Sequence, residues 1–95
     1  MFKNVNEIMQ ANAQSGGHYF EASTMRFFRS RVLNGVHGGR FFVTSEKGPS
    51  GVRLFSVRKA DDDGTISTVG GFQAYATAAE ATEAAIQESL TVEVA

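Results

Sequence analysis

Three short runs of β-branched and aromatic residues lie close together in residues 38–72, and two turn-rich segments separate them. The first separator, residues 48–51, contains the only proline, a residue that cannot occupy a paired central strand. The second, residues 61–64, ends in Asp-Gly, a strong short-range signal for a hairpin. This stretch therefore predicts three consecutive strands, at residues 40–45, 52–59 and 65–69.

Helix signals precede the strands. Asn4 and Glu7 have the spacing of a capping box and predict a helix over residues 5–14. A second helix is predicted to begin near Ala22, because apolar residues recur there with helical spacing. Its predicted core stripe consists of Met25, Phe28 and Val32.

A further helix signal follows the strands. Thr77 and Glu80 form a capping box ahead of an alanine-rich segment, which predicts a helix over residues 78–90. Residues 91–94 alternate in polarity and predict a short edge strand or a tail. The predicted packing stripe of the helix consists of Ala79, Thr82, Ile86 and Leu90.

These elements predict one α+β domain over residues 1–95. Its order is ααβββα: a three-stranded antiparallel sheet, a C-terminal helix packed on one face and two short N-terminal helices. Alternation places Phe41 and Val43 on one face of the sheet and Phe42 on the other, so both faces need cover. The N-terminal helices or a second subunit must supply it on one side, which makes a homodimer one expectation.

Charge is divided unevenly along the chain, although the net formal charge is only −1. Residues 1–60 hold all nine Lys and Arg against three Glu, whereas residues 61–95 hold seven carboxylates and no base. Such a division is found in proteins with a basic binding face and also in domains that solvate their last helix with Glu. No run approaches the ~20 apolar residues of a membrane span, and the first residues lack a signal-peptide pattern. A cytoplasmic protein without a membrane partner is expected.

Catalytic and metal-binding patterns are not found. The chain has no Cys, which excludes thiol nucleophiles and Cys-ligated metals. The spacing of His18 and His37 fits no zinc pattern, and no nucleophile elbow occurs. The acidic residues 61–63 are explained by the hairpin rather than by a calcium loop. The sequence therefore predicts a protein that is not an enzyme, with no catalytic residues, no metal and no cofactor.

Arginines interleaved with phenylalanines are the one pattern that indicates a binding surface. Interfaces favour both residue types near their centres, and nucleic-acid binders pair cations with aromatic rings. The competing explanation is a phenylalanine core with arginines solvating its rim. The predicted binding surface lies on the second helix and the first two strands, with Phe27 as an apolar anchor. Its residues are Arg26, Phe27, Arg29, Arg31, Arg40, Arg53 and Arg58.

The sequence resembles two groups of known proteins. The runs TMRFF (residues 24–28), SRV (30–32), GGRFFVTSE (38–46) and SVR (56–58) resemble a group of small uncharacterised proteins encoded by phages and mobile elements. That resemblance implies a phage or prophage setting and no mechanism. The pattern of three strands, Gly70-Gly71 and a Thr-capped helix is similar to the AP2-like arm-binding domain of phage integrases. The similarity covers about residues 52–88, which hold the last two strands and the helix, and it implies a sheet placed in the DNA major groove.

Three functions follow as hypotheses. The first is a small phage-type protein-binding module that inhibits or modulates a complex of a bacterial host, for example a defence system in the manner of an anti-CRISPR protein. The alternative is a nucleic-acid-binding domain that uses the arginine-rich half. The second alternative is a structural homo-oligomer. The expected location is the cytoplasm of a bacterial host.

Overall fold

The computed structural model describes residues 1–27 and 29–94, and the side chains of residues 1–27 and 29–91. Two helices come first, α1 (Val5–Gln14) and α2 (Ala22–Phe27). Four strands follow, and a long helix ends the described chain. These elements are β1 (Arg31–Val32), β2 (Phe41–Lys47), β3 (Arg53–Ala60), β4 (Ile66–Val69) and α3 (Ala78–Val94).

The strands form one antiparallel sheet in the order β1-β2-β3-β4. The predicted α+β class and antiparallel sheet are confirmed, but the sheet has four strands rather than three. The additional strand, β1, pairs Arg31 with Ser45 and Val32 with Thr44. The chain then continues along the outer edge of β2, where Leu33 N donates to Val43 O at 3.0 Å and His37 N donates to Phe41 O at 2.7 Å.

The end of α2 explains why β1 was not predicted. Ser30 N donates to Met25 O and Arg29 N donates to Arg26 O, the bond pattern of a Schellman motif. Arg29 has φ 49°, the left-handed conformation that this motif requires. The helix therefore ends before Val32, which belongs to a strand and not to the predicted helical stripe. Phe28, the middle residue of that stripe, lies outside the described residues.

One face of the sheet is covered by α3, and a core of Phe41, Val43, Val57, Ala81 and Ala85 lies between them. The predicted packing stripe of this helix is wrong: over residues 78–91 the buried positions are Ala81, Ala85 and Ser89, whereas Ile86 and Leu90 are 37% and 53% exposed. Small residues allow the helix to lie close to the chain beneath it. A Cβ at Gly38 would come within 2.5 Å of the Cβ of Ser89.

The other face is covered from within the same chain. Ile8 of α1 packs against Phe42 and Ala60, and Tyr19 and Phe20 extend this second core. The chain thus covers both faces itself, which removes the physical reason for expecting a second subunit on the sheet. The segment 91–94 continues α3 and is neither an edge strand nor a tail.

The predicted caps and the hairpin are present. Asn4 Oδ1 accepts from Glu7 N at 3.0 Å, and Thr77 Oγ1 accepts from Glu80 N at 3.2 Å. The α1 bounds agree with the prediction, whereas β2, β3 and β4 are each displaced by one or two residues. Between β3 and β4, Gly64 N donates to Asp61 O at 2.8 Å, which closes the predicted hairpin.

Candidate functional site

A groove of about 570 Å³ lies beside α2, at the end of the sheet where β2 ends and β3 begins. Its lining contains five cationic side chains and, among the described residues, no carboxylate. We call it the cationic groove. Its lining residues are Ala22, Met25, Arg26, Arg29, Ser30, Arg31, Lys47 and Arg53.

The strand register brings three of these cations together. Arg31 lies opposite Ser45 in the β1–β2 pair, and Lys47 lies opposite Arg53 in the β2–β3 pair. Opposed residues in an antiparallel pair point to the same face, and positions two apart on a strand share that face. Arg31, Lys47 and Arg53 therefore project on one side of the sheet, beside the cations that α2 and its C-terminal turn supply.

Arg53 also holds the turn that follows α2. Its Nη1 atom donates to Arg29 O at 3.1 Å and to Ser45 Oγ at 2.9 Å. The Schellman position taken by Arg29 is one that glycine usually occupies, because a side chain there is strained. An exposed arginine kept at a strained position is a reason to suspect a binding role.

A second cleft, of about 360 Å³, adjoins the groove and shares Arg29 and Lys47 with it. Phe27 lines this cleft and is 79% exposed. The predicted apolar anchor thus lies at the rim of the groove, where its ring is accessible to solvent.

Five of the seven predicted binding residues meet here, and two do not. Arg40 lies at the opposite end of β2, where it forms an ion pair with Asp62 and donates to Ala60 O at 3.4 Å. Arg58 is only 8% exposed and points into the face of the sheet that α1 covers. The structure does not bring these two arginines into the groove.

Arg58 is the centre of a buried polar network. Its Nη2 atom donates to Glu46 Oε2 at 3.1 Å and its Nε to Thr44 Oγ1 at 2.9 Å, and Nη1 contacts Thr68 Oγ1. Ser56 Oγ donates to the other Glu46 oxygen at 2.8 Å. Glu46 is 1% exposed, and every buried side-chain nitrogen and oxygen of the described residues has a hydrogen-bond partner. The charges of Arg58 and Glu46 therefore offset each other, and no buried side-chain nitrogen or oxygen of the network lacks a partner.

Two aromatic rings flank the guanidinium of Arg58. Its Cζ atom lies 5.6 Å from the ring centroid of Tyr19 and 5.4 Å from that of Phe72, distances that allow cation–π attraction. Burial raises the pKa of Tyr19 above its ordinary value of 10.0, although the charge of Arg58 acts in the opposite direction. The ring of Tyr19 therefore stays neutral at physiological pH.

A pocket of about 220 Å³ opens above this network. We call it the neutral pocket, because the only charged residues in its described lining are the paired Arg58 and Glu46. Met25 and Ser30 line both the neutral pocket and the cationic groove, so the two share a wall. Its lining residues are Tyr19, Thr24, Met25, Ser30, Glu46, Arg58 and Phe72.

Sequence reasoning missed Lys47, Glu46 and Tyr19. The face alternation contained a usable signal for Glu46. Phe42, Thr44 and Glu46 are each two residues apart on one strand, so burial of the first predicts burial of the others. A buried carboxylate requires a cation, and the opposed strand supplies Arg58.

Among residues 1–27 and 29–94 no group of three or more His, Cys, Asp and Glu is arranged to hold a metal ion. Within the same part of the chain, no helix has the length and apolarity to cross a membrane.

Comparison with known proteins places the chain in a family. Neither the curated proteins nor the solved structures gave a significant match. The model of one family matches residues 4–86, a span that includes the cationic groove, the neutral pocket and the first part of α3. The description of this family names neither phages nor integrases, so those two resemblances stay predictions. The chain therefore belongs to DUF7447, a family of unknown function.

Proposed function

We propose that the protein is a non-catalytic binding module that holds an acidic segment of a partner protein in the cationic groove. The observation that carries the proposal is the convergence of five cationic side chains on a groove whose described lining has no carboxylate. Like charges held together repel one another, and an anionic ligand relieves that repulsion.

The charge outside the groove favours a protein segment over a nucleic acid strand. The chain has nine Lys and Arg and ten Asp and Glu, and five of the cations line the groove. The other charged residues therefore sum to −6. This net negative remainder opposes the long-range attraction of a polyanion such as a nucleic acid strand more than that of a short acidic segment, which carries fewer charges.

Phe27 adds an apolar contact at the rim. Hot spots of protein interfaces are enriched in Arg and aromatic residues that lie close together. Phe27 beside Arg29 and Lys47 has this composition. A partner that places an apolar residue on the exposed ring gains affinity that depends little on salt.

The test is a binding titration with two labelled probes of equal formal charge, an oligoglutamate peptide and an oligothymidine. The wild-type protein should bind the peptide, and charge reversal of Arg26 and Arg29 to Glu should abolish binding. Lys3→Glu is the matched control, because it makes the same kind of charge change at an exposed site outside the groove lining. Peptide binding that survives both reversals would overturn the proposal.

Arg29→Gly separates binding from stability. Glycine relieves the strain of the left-handed backbone, so the free energy of unfolding should stay equal or rise by up to about 1 kcal/mol, whereas peptide affinity should fall. Loss of stability without loss of affinity would mean that Arg29 serves the fold alone.

Nucleic-acid binding is the second candidate, because the exposed Phe27 ring beside cations also suits base stacking. It would appear as tight oligothymidine binding, with a log–log salt slope of about −0.7 per phosphate contacted. A structural homo-oligomer is the third reading, and size-exclusion chromatography with light scattering tests it directly.

The identity of the partner rests on the resemblance to phage proteins alone. A host complex such as a defence system, in the cytoplasm of a bacterium, is the proposed setting. A pull-down from bacterial lysate, with and without nuclease, tests it. A protein retained after nuclease treatment, and lost from the Arg26→Glu variant, supports the proposal. Turnover by the purified protein in a screen of hydrolase and nuclease substrates would show instead that it is an enzyme.

A further inference from the structure

The neutral pocket adjoins the cationic groove but differs from it in chemistry. Arg58 and Glu46 cancel each other's charge at its floor, so it offers no net attraction to an anion. Its walls include the rings of Tyr19 and Phe72 and the side chain of Met25. Carboxylates of a bound segment would therefore occupy the groove and not this pocket.

The size and walls of the pocket fit one aromatic ring. Its volume is about 220 Å³, and an apolar cavity of about 150 Å³ is large enough to bind benzene. Aromatic rings pack favourably on other rings and on methionine sulfur. The hydroxyl groups of Thr24 and Ser30 at the pocket lining can bond a polar tip such as a phenol.

The buried network beneath the pocket is unusual for a core that serves stability alone. Replacing a buried ion pair with well-packed apolar residues is often neutral or stabilising. Here a carboxylate, a guanidinium and three hydroxyls occupy the centre of the sheet face, at the place where the pocket opens. This arrangement makes a rigid floor with hydrogen-bonding groups.

We propose that the neutral pocket receives one aromatic side chain from the same segment whose carboxylates lie in the cationic groove. Lys47 and Arg53 lie on the opposite face of the sheet from Glu46 and Arg58. Met25 and Ser30 line both sites, so a segment that passes around this shared wall can reach both. The partner would therefore carry an aromatic residue close to a run of Asp or Glu. This inference rests on the proposed function and specifies the partner that it requires.

Labelled oligoglutamate peptides that end in tyrosine or in alanine, after glycine spacers of increasing length, provide the test. For at least one spacer, the tyrosine peptide should bind the wild-type protein about tenfold more tightly than its alanine counterpart. Phe72→Ala should remove this difference and leave the affinity for the alanine peptide unchanged. Ile86→Ala, at an exposed position of α3, is the control and should keep the difference.

A second variant keeps the test independent of folding effects at Phe72. Thr24 is an exposed residue of α2 at the pocket lining, and Thr24→Tyr should block the pocket without removing a core residue. It should reduce the affinity for the tyrosine peptide to that for the alanine peptide.

Three results would overturn the inference in distinguishable ways. Equal binding of both peptides at every spacer refutes the aromatic pocket and leaves the proposed function intact. Failure of both peptides to bind refutes both. Oligothymidine that binds more tightly than the peptides, with an affinity lowered by Phe72→Ala, would identify the occupant as a nucleic acid base.

Discussion

Truncation of Arg58 to alanine tests how the buried polar network is held together. The wild-type guanidinium lies 3.1 Å from the carboxylate of Glu46, and the side chains of the pair are only 10% and 1% exposed. Without the guanidinium, Glu46 would keep the hydrogen bonds from Ser56 and Thr44 but would lose its counter-charge. The buried carboxylate would then be uncompensated.

The expected cost is large. Removing one partner of a buried ion pair costs about 3–5 kcal/mol, a substantial part of the roughly 5–15 kcal/mol that stabilises a typical domain. For a domain of this size, each kcal/mol lowers Tm by about 4–8 °C, so a decrease of at least about 12 °C is expected. Arg40→Ala is the matched control. Its partner Asp62 has a side chain that is 82% exposed, and such pairs contribute about 0–1 kcal/mol.

The assay is urea unfolding at neutral pH, followed by circular dichroism, for the two variants and wild type. Adding Glu46→Gln to wild type and to Arg58→Ala isolates the contribution of the carboxylate charge to stability. In wild type this change leaves Arg58 without its counter-charge and should lower the free energy of unfolding. In the Arg58→Ala background it removes the uncompensated carboxylate and should raise it.

The sign of the stability change that Glu46→Gln causes in the Arg58→Ala background tests whether the two side chains are coupled. If Glu46→Gln lowers stability equally in both backgrounds, the two side chains act independently and the pair is not coupled. An Arg58→Ala cost no larger than that of Arg40→Ala would likewise refute the reasoning.

Three further predictions concern the cap of α3, the hairpin turn and Tyr19. Thr77→Ala should cost about 1 kcal/mol in urea unfolding, because Glu80 N loses its acceptor at the helix N-terminus. Gly64→Ala should destabilise far more than Gly70→Ala in thermal melts: both have positive φ, but a Cβ at Gly64 would lie 2.3 Å from Asn12 N, whereas nothing lies within 4 Å at Gly70. Ultraviolet titration should show Tyr19 ionising above 10.0. Because folding raises the pKa of Tyr19, the neutral phenol contributes fully to stability at pH values below its unfolded-state pKa. This contribution is lost as the pH rises through the folded-state pKa, and Tyr19→Phe should remove that loss.

The local signals were the ones that sequence reasoning interpreted correctly. The caps at Asn4 and Thr77 and the Asp-Gly turn depend on a few neighbouring residues, and these features were located to within one or two positions. The convergence of Arg26, Arg29 and Arg31 was also predictable, since they are close in the chain. Arg53 joins them through the antiparallel pairing of β3 with β2, which the turn signals anticipated.

The features that were missed depend on tertiary contacts. Val32 fits a helical stripe by spacing, and only the left-handed turn at Arg29 transfers it to a strand. The rotation of α3 about its axis is set by how closely its small residues approach the sheet, so Ile86 was assigned to the wrong side. A polar residue on a strand is normally predicted to face solvent. Arg58 is buried instead, because Glu46 on β2 neutralises its charge.

The outer edge of β2 has a consequence for the behaviour of the protein at high concentration. Its main-chain hydrogen bonds are made with β1, Leu33 and His37 of the same chain, so the strand offers little along this edge to a strand of another molecule. A chain with residues 33–37 shortened would keep the apolar sequence FFV of β2 but would expose its edge. Such a variant should form amyloid-like aggregates under conditions in which the intact chain stays dispersed. The irregular segment ahead of β2 thus protects this edge from the strand pairing that fibril growth requires.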